Sequence, residues 1–155
     1  MIKIIVISLL LPICLLAQSK KEIKKNGVKT LTESISEGNK SHKSLYQKFN
    51  KKGSLIEEID FDNTGKIKST KTFKYNQKND KIEELTLDAN NKQTERQSFK
   101  YDYEGEKIEE STFNEKNELQ TRVIFTYNLK GLRKEKKTYD AKGKLLNTKI
   151  YQYGY

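Results

Sequence analysis

Residues 73–75 of this chain read Phe-Lys-Tyr, and the same pattern returns every 26 residues, at 99–101, 125–127 and 151–153. The first aromatic of each copy is Phe73, Phe99, Phe125 or Tyr151, and the second is Tyr75, Tyr101, Tyr127 or Tyr153. A fixed period of this length, kept without an insertion, is typical of tandem repeats whose units bury their apolar side against their neighbours. The sequence therefore predicts a repeat protein.

Two turn sequences recur in each unit, and both have Gly or Asn at the fourth position. One series ends at Gly27, Gly53, Asn79, Gly105 and Gly131, and the other ends at Asn39, Gly65, Asn91, Asn117 and Gly143. Gly and Asn tolerate the positive φ that closes a type I turn with a bulge, and an Asp or Asn at the first position accepts hydrogen bonds from the turn's own N–H groups. We therefore assign Gly53, Gly65, Gly105, Gly131 and Gly143 as turn-forming residues.

The segments between turns are 7 to 10 residues long, rich in Thr, Ile, Tyr and Phe, and alternate between apolar and polar residues. Such segments read as strands, and a Gly or Asn every 12 to 14 residues leaves no room for long helices. Five repeats of 26 residues predict an all-β antiparallel meander of about ten strands, arranged as a single-layer twisted sheet or β-strip. Net charge is +10 and few residues are large and apolar, so the core is expected to be thin.

The residues before successive turns, most of them aromatic, are spaced alternately by 14 and 12 residues, as in Phe61, Tyr75 and Leu87. If each loop keeps the odd–even alternation of side chains in step from one strand to the next, all of these residues point to one face and form an aromatic stripe. Within this stripe we select Tyr75, Tyr101, Tyr127 and Tyr153 as candidate ligand-binding residues. Ile56, Ile82 and Ile108 do not fit a flat strand, so either a bulge restores the register or both faces are partly apolar.

The stretch Tyr139-Asp140-Ala141-Lys142-Gly143-Lys144-Leu145 resembles the YD repeat of Rhs-type proteins. Phe61-Asp62-Asn63-Thr64-Gly65-Lys66-Ile67 matches equally well, whereas other copies carry Asn for Asp or Gly. The resemblance covers nearly the whole chain after its apolar start and implies stacked hairpins. Five repeats are too few for the toxin-enclosing shell of that family.

Residues 1–17 have the layout of a secretory signal peptide, with Lys3 followed by an apolar run and Ala17 before the expected cut. Lipidation at Cys14 is the alternative reading of this segment. We further predict a flexible segment over 18–26 and the repeat domain over 27–155. The expected location is the periplasm, the cell surface or the medium.

Little in the chain points to catalysis. His42 is the only histidine, and cleavage after Ala17 would remove the only cysteine. The Glu pairs at 57–58, 83–84 and 109–110 recur with the repeat, which favours cross-strand pairing with Lys71, Arg96, Arg122 or their neighbours over acid–base catalysis. We expect no enzyme activity, no cofactor and no metal site.

The charge allows weak binding of polyanions, but acidic residues are interspersed, so no specific nucleic-acid binding is expected. Lys, Glu or Arg on both faces of most strands argues against a membrane-spanning protein. The sequence favours a binding or interaction module whose partner is an envelope protein or glycan. A structural envelope or spacer protein without a discrete ligand is the alternative.

Overall fold

The computed structural model describes residues 19–38 and 40–154, so the predicted signal peptide and Cys14 lie outside the described residues. A short helix, α1 (Lys20–Lys25), precedes ten strands. The strands are β1 (Thr30–Glu37), β2 (Lys40–Phe49), β3 (Leu55–Phe61), β4 (Ile67–Tyr75), β5 (Lys81–Asp88), β6 (Gln93–Tyr101), β7 (Lys107–Phe113), β8 (Leu119–Tyr127), β9 (Arg133–Asp140) and β10 (Leu145–Ile150).

Every strand pairs antiparallel with the next one in the chain, and the strand order in the sheet is the order in the sequence. The sheet is open, with β1 and β10 at its two edges. In the part of the chain that the structure describes, extensive contacts between elements join consecutive strands only, so the sheet forms one layer. The prediction of an all-β antiparallel meander of about ten strands is confirmed.

Eight of the hairpin turns share one geometry, shown by the turn from Asp62 to Gly65. The Gly65 N–H donates to the Asp62 carbonyl oxygen at 2.9 Å, and the Asp62 N–H donates to the Lys66 carbonyl oxygen at 2.8 Å. The Asp62 Oδ1 also accepts hydrogen bonds from the N–H groups of Thr64 and Lys66. The same backbone pair of bonds closes the turns that begin at Asn50, Asn76, Asp88, Asp102, Asn114, Asn128 and Asp140.

Two turns differ from the expected type. The first hairpin pairs Glu37 with Lys40, so only two residues connect its strands, and Gly38 has φ +60°. Residues 36 and 37, expected in a four-residue turn, belong to β1. The Asn26-Gly27 copy is not a hairpin turn, because Asn26 caps the C-terminus of α1 and Gly27 has φ +62°.

Helix α1 lies where the sequence predicted a flexible segment. Ser19 and Glu22 form a capping box at its N-terminus, and Lys24 and Lys25 lie in its last turn. Ile23 is only 2% exposed. A helix this short is unstable alone, so its burial against the first repeat explains why it forms.

Bulges resolve the position of the isoleucines that did not fit a flat strand. In β5 the pairing jumps from Lys74–Glu83 to Tyr75–Lys81, which leaves Ile82 as the extra residue. Ile56 in β3, Ile108 in β7 and Lys134 in β9 are skipped in the same way. A second series of bulges skips Lys68, Thr94, Gln120 and Leu146 after the turns at the other end of the sheet.

Candidate functional site

The aromatic residues form stripes on opposite faces of the sheet rather than one stripe. In the regular β4–β5 pairing Phe73 lies opposite Glu84, so these two side chains share one face of the sheet. Leu87 lies opposite Thr70, which is three residues from Phe73 and therefore points to the other face. Tyr75 shares the parity of Phe73, so Tyr75 and Leu87 point to different faces. The expectation of a single stripe was wrong because a bulge follows each turn and shifts the parity.

We call the face that carries Phe73, Phe99 and Phe125 the ladder face. The four candidate tyrosines, Tyr75, Tyr101, Tyr127 and Tyr153, lie at one end of it, beside the turns that begin at Asn76, Asp102 and Asn128. The structure thus places these four residues in one row, with Tyr75 in β4, Tyr101 in β6, Tyr127 in β8 and Tyr153 three residues beyond the end of β10. Neighbouring strands are about 4.8 Å apart, so the tyrosines recur at intervals of roughly 10 Å.

Each tyrosine hydroxyl is bound to the backbone of the preceding strand. The Tyr75 Oη donates to the Leu55 carbonyl oxygen at 2.7 Å, and the Tyr101 Oη donates to the Lys81 carbonyl oxygen at 2.8 Å. Tyr127 and Tyr153 repeat the bond to Lys107 and Arg133, both at 2.8 Å. Donor and acceptor are 20 residues apart in all four cases.

These bonds lie where the backbone ladder within each hairpin stops. The β5–β6 pairing begins at Glu83–Ser98, so it does not include Lys81 or Ile82. The Lys81 carbonyl faces a strand that offers it no N–H, and an unpaired carbonyl in a half-buried position is costly. The tyrosine hydroxyl supplies the missing donor.

Cations alternate with aromatic rings along the ladder face. The Lys107 Nζ lies 5.2 Å from the centre of the Phe99 ring and 5.1 Å from that of Phe125. Lys81 lies between Phe73 and Phe99, and Arg133 lies between Phe125 and Tyr151. Phe99 and Phe125 are 7% and 5% exposed. This continuous cation–π stack is the core of the single layer.

In the last repeat, a lysine replaces the glutamate that pairs with the stacked cation. Lys107 forms an ion pair with Glu110 at 2.6 Å, and Lys81 pairs in the same way with Glu84. The equivalent residue beside Arg133 is Lys136, whose Nζ lies 5.9 Å from the Phe125 ring centre. Among the described residues, none offers a hydrogen-bond acceptor to the buried Arg133 Nε.

Burial raises the pKa of the Tyr75 hydroxyl, with a smaller contribution from the negative charge of Glu84. The pKa of Tyr101 is also raised, chiefly by burial and then by Asp80 and Glu110. Both hydroxyls therefore remain protonated donors over a wide range of pH. A ligand on this face would meet the exposed parts of rings and lysine side chains, because the hydroxyl protons are already engaged.

The opposite face carries a different set of cation–ring contacts. The Arg96 guanidinium lies 3.9 Å from the centre of the Phe113 ring, and that of Arg122 lies 5.7 Å from Tyr139. The expected pairing of Arg122 with the Glu109–Glu110 pair does not form, because Arg122 lies opposite Ser111. Glu109 instead pairs with Lys100 at 2.8 Å. Glu58 does meet Lys71, at 3.5 Å, and Glu83 meets Arg96 at 4.0 Å.

The five selected glycines all occupy the fourth position of a turn with positive φ. Their φ values are +74° at Gly53, +79° at Gly65, +94° at Gly105, +72° at Gly131 and +82° at Gly143. Only Gly53 is in tight contact with another element, since a Cβ there would lie 2.7 Å from the Lys20 carbonyl oxygen of α1.

The remaining candidates stay apart. His42 lies on β2 opposite Ile35, near the sheet edge. Within residues 19–38 and 40–154, no three His, Cys, Asp or Glu side chains come together as a metal site. No helix in the same ranges is long and apolar enough to cross a bilayer.

No protein-family profile matches the chain, and no curated protein matches it. Similar solved structures include TarM, at 16% identity over 82% of this chain and 22% of TarM, with a TM-score of 0.34. A porin-like protein from Bacteroides uniformis is 13% identical over 80% of this chain and 50% of its own, with a TM-score of 0.43. A Bacteroides fragilis protein with unknown function is 17% identical over 82% of this chain and 95% of its own, with a TM-score of 0.25. TM-scores this low carry no argument about this chain.

Proposed function

We propose that this chain is an exported, non-catalytic repeat protein of the YD type that acts as a binding module at the cell envelope. Its partner in this proposal is an envelope protein or glycan that lies along the ladder face. The turn geometry at Asp62 and Asp140 supports the resemblance to YD repeats, because the side chain of the turn's first residue closes each turn.

One observation carries the proposal. The ladder face presents a tyrosine and a cation at the same place in successive repeats, roughly 10 Å apart. From β4 to β9 the sheet makes extensive contacts only between consecutive strands, so no other element of the described chain covers the row of tyrosines. An extended partner could therefore meet equivalent rings and positive charges several times, which adds weak contacts into useful avidity. The positive charges would also give weak attraction to anionic polymers.

The alternative is a structural or spacer protein, and one observation favours it. All four tyrosine hydroxyls are engaged with carbonyl oxygens, and the stacked cations are engaged with rings. Their role in stabilising the single layer is enough to explain why these groups are present, without any ligand.

A pull-down from an envelope extract of the source organism tests the proposal, with residues 18–155 as bait. Retention is compared between the unaltered chain, Tyr127→Leu on the ladder face, and Tyr139→Leu on the opposite face. Circular dichroism verifies that each variant is folded. The extract is applied at about 0.15 M and about 1 M salt, where the screening length falls from about 8 Å to about 3 Å.

The proposal expects a saturable protein or glycan that is retained at both salts, with retention weakened by Tyr127→Leu but not by Tyr139→Leu. Equal retention by both variants would contradict a role for the ladder face. Retention of nothing would support the spacer alternative, and anionic polymers lost at high salt would show that charge alone binds.

A further inference from the structure

A cleft of about 690 Å³ lies between α1 and the strands that follow it, and none of the four tyrosines lines it. Ile23, Val28 and Phe49 supply its apolar surface. Ile23 is 2% exposed, and Val28 and Phe49 are half-buried. The exposed parts of Val28 and Phe49 are the apolar surface that a ligand in the cleft would cover.

Four exposed lysines line the same cleft: Lys24, Lys29, Lys48 and Lys51. Elsewhere in the sheet many lysines are paired, as Lys107 is with Glu110. Among the described residues, no carboxylate lies within 4.0 Å of any of these four ammonium groups. Their charge is therefore uncompensated at short range.

The charge of the whole chain is concentrated at this end. Residues 19–54 carry ten Lys and three Glu, whereas residues 55–154 carry 20 Lys and Arg and 18 Asp and Glu. The positive field attracts an anion to the cleft. Burial of an attached aliphatic chain against the apolar surface then adds to the binding free energy.

We propose that this cleft binds one molecule of an anionic amphiphile, with its aliphatic chain against Val28 and Phe49 and its head group among the lysines. The proposal goes beyond the ladder-face function, because it uses none of the four tyrosines. Charge complementarity selects the anionic head, and the apolar inner surface selects a chain rather than a free anion.

The cleft is pre-formed by the contact of α1 with the turn that begins at Asn50, between β2 and β3. The Gly53 backbone lies so close to α1 that a Cβ would be 2.7 Å from the Lys20 carbonyl oxygen and 3.0 Å from the Lys24 Cβ. The Val28 N–H donates to the Ile23 carbonyl oxygen at 3.0 Å, and the Phe49 N–H donates to the Lys29 carbonyl oxygen at 2.9 Å. These bonds fix the backbone that carries Val28 and Phe49 before a ligand arrives, which lowers the entropy lost on binding.

Calorimetric titration of residues 18–155 with decyl phosphate, below its micellar concentration, tests the proposal. Inorganic phosphate supplies the head group without the chain, and decyl glucoside supplies the chain without the charge. Vesicles with anionic lipid test whether the lysines bind a membrane surface instead. We expect saturation at one decyl phosphate per chain, and affinities at least about tenfold weaker for the glucoside and for phosphate.

Three variants locate the site. Lys24→Gln with Lys51→Gln, and separately Val28→Asn, should each weaken decyl phosphate binding by about tenfold. Lys142→Gln with Lys144→Gln removes the same charge from the far end of the sheet and should change the affinity less than about twofold. Equal weakening by the two lysine pairs, equal binding of inorganic phosphate, or binding to vesicles without binding of monomeric decyl phosphate would overturn the proposal.

The result is independent of the envelope pull-down. Tyr127→Leu leaves the cleft intact, so it should still bind decyl phosphate even if its partner on the ladder face is lost. Loss of decyl phosphate binding in folded Tyr127→Leu would contradict the assignment of two separate surfaces.

Discussion

The Tyr101 hydroxyl donates a 2.8 Å hydrogen bond to the carbonyl oxygen of Lys81, a residue whose own ammonium lies 4.8 Å from the Phe99 ring centre. One residue therefore serves two parts of the repeat. Its carbonyl oxygen accepts the hydrogen bond from Tyr101, which takes the place of a backbone hydrogen bond where the strand pairing stops. Its side chain lies between two aromatic rings. The bulge at Ile82 makes both possible, because it lets Lys81 and Glu84 share the ladder face.

Tyr101→Phe should lower the free energy of unfolding by about 1 kcal/mol, because it leaves the Lys81 carbonyl without a donor. Tyr101→Ala should cost more, since the ring contacts are lost as well. Tyr153, at the sheet edge and 43% exposed, should show clearly smaller losses for both substitutions. Thermal and urea unfolding of the four variants measures this, and equal losses at the two positions would count against stacked repeats.

Lys136→Glu should stabilise the protein by about 0.5–1 kcal/mol. It would restore the pattern of Glu84 and Glu110 beside a stacked cation and offer an acceptor to the buried Arg133 Nε. Lys136→Gln is the matched control, because it removes the positive charge without adding a carboxylate. Urea midpoints compare the three proteins, and a Glu variant no more stable than the Gln variant would refute the restored ion pair.

The side-chain hydrogen bond from Thr64, followed by the backbone N–H of Lys66, lowers the pKa of the Asp62 carboxyl below its usual value. A lowered pKa in the folded state stabilises the protein above the unfolded-state pKa, near 4, and this stability is lost as pH falls through the folded-state value. Asp62→Asn should keep the turn, since Asn50 makes the same bonds to Lys52 and Ser54. Its unfolding free energy should fall less than that of the unaltered chain between pH 6 and about pH 3. Identical pH profiles would exclude Asp62 as a contributor.

Gly53→Ala should destabilise the protein more than Gly105→Ala. Both positions have positive φ, so each Ala costs about 1–2 kcal/mol from backbone strain. A Cβ at Gly105 has no atom within 4 Å, whereas one at Gly53 meets backbone of α1. Urea unfolding should separate the two, and the Asn26 amide, which donates to Glu22, should exchange faster in Gly53→Ala alone. Equal exchange of this amide in both variants would show that α1 does not depend on Gly53.

Much of the fold could be predicted from local chemistry. Asp or Asn at the first position and Gly or Asn at the fourth define the turns, and the 26-residue period then sets the order of the strands. The face of the sheet to which each aromatic side chain points could not be predicted. Odd–even alternation assigns side chains to faces only within a strand that has no bulge. The sequence alone does not show whether a residue such as Ile82 pairs with the neighbouring strand or is the extra residue of a bulge.

Two features of the site were missed although the sequence carried a signal. Lys81, Lys107 and Arg133 recur at the repeat period, but the abundance of lysine elsewhere hid them. The Ser19-x-x-Glu22 capping box and the Asn26-Gly27 ending marked α1, but a helix of six residues with one apolar side chain gives no periodic pattern. Only the packing of Ile23 against the first repeat makes this helix stable.

Residue-resolved amide hydrogen exchange under native conditions tests the single open layer most directly. The strands β5 to β8, paired on both sides, should exchange slowest, and β10, exposed along its whole length, should exchange fastest among the strands. Protection of β10 equal to that of β6 would contradict the account, because it would require a second layer or a further strand against that edge.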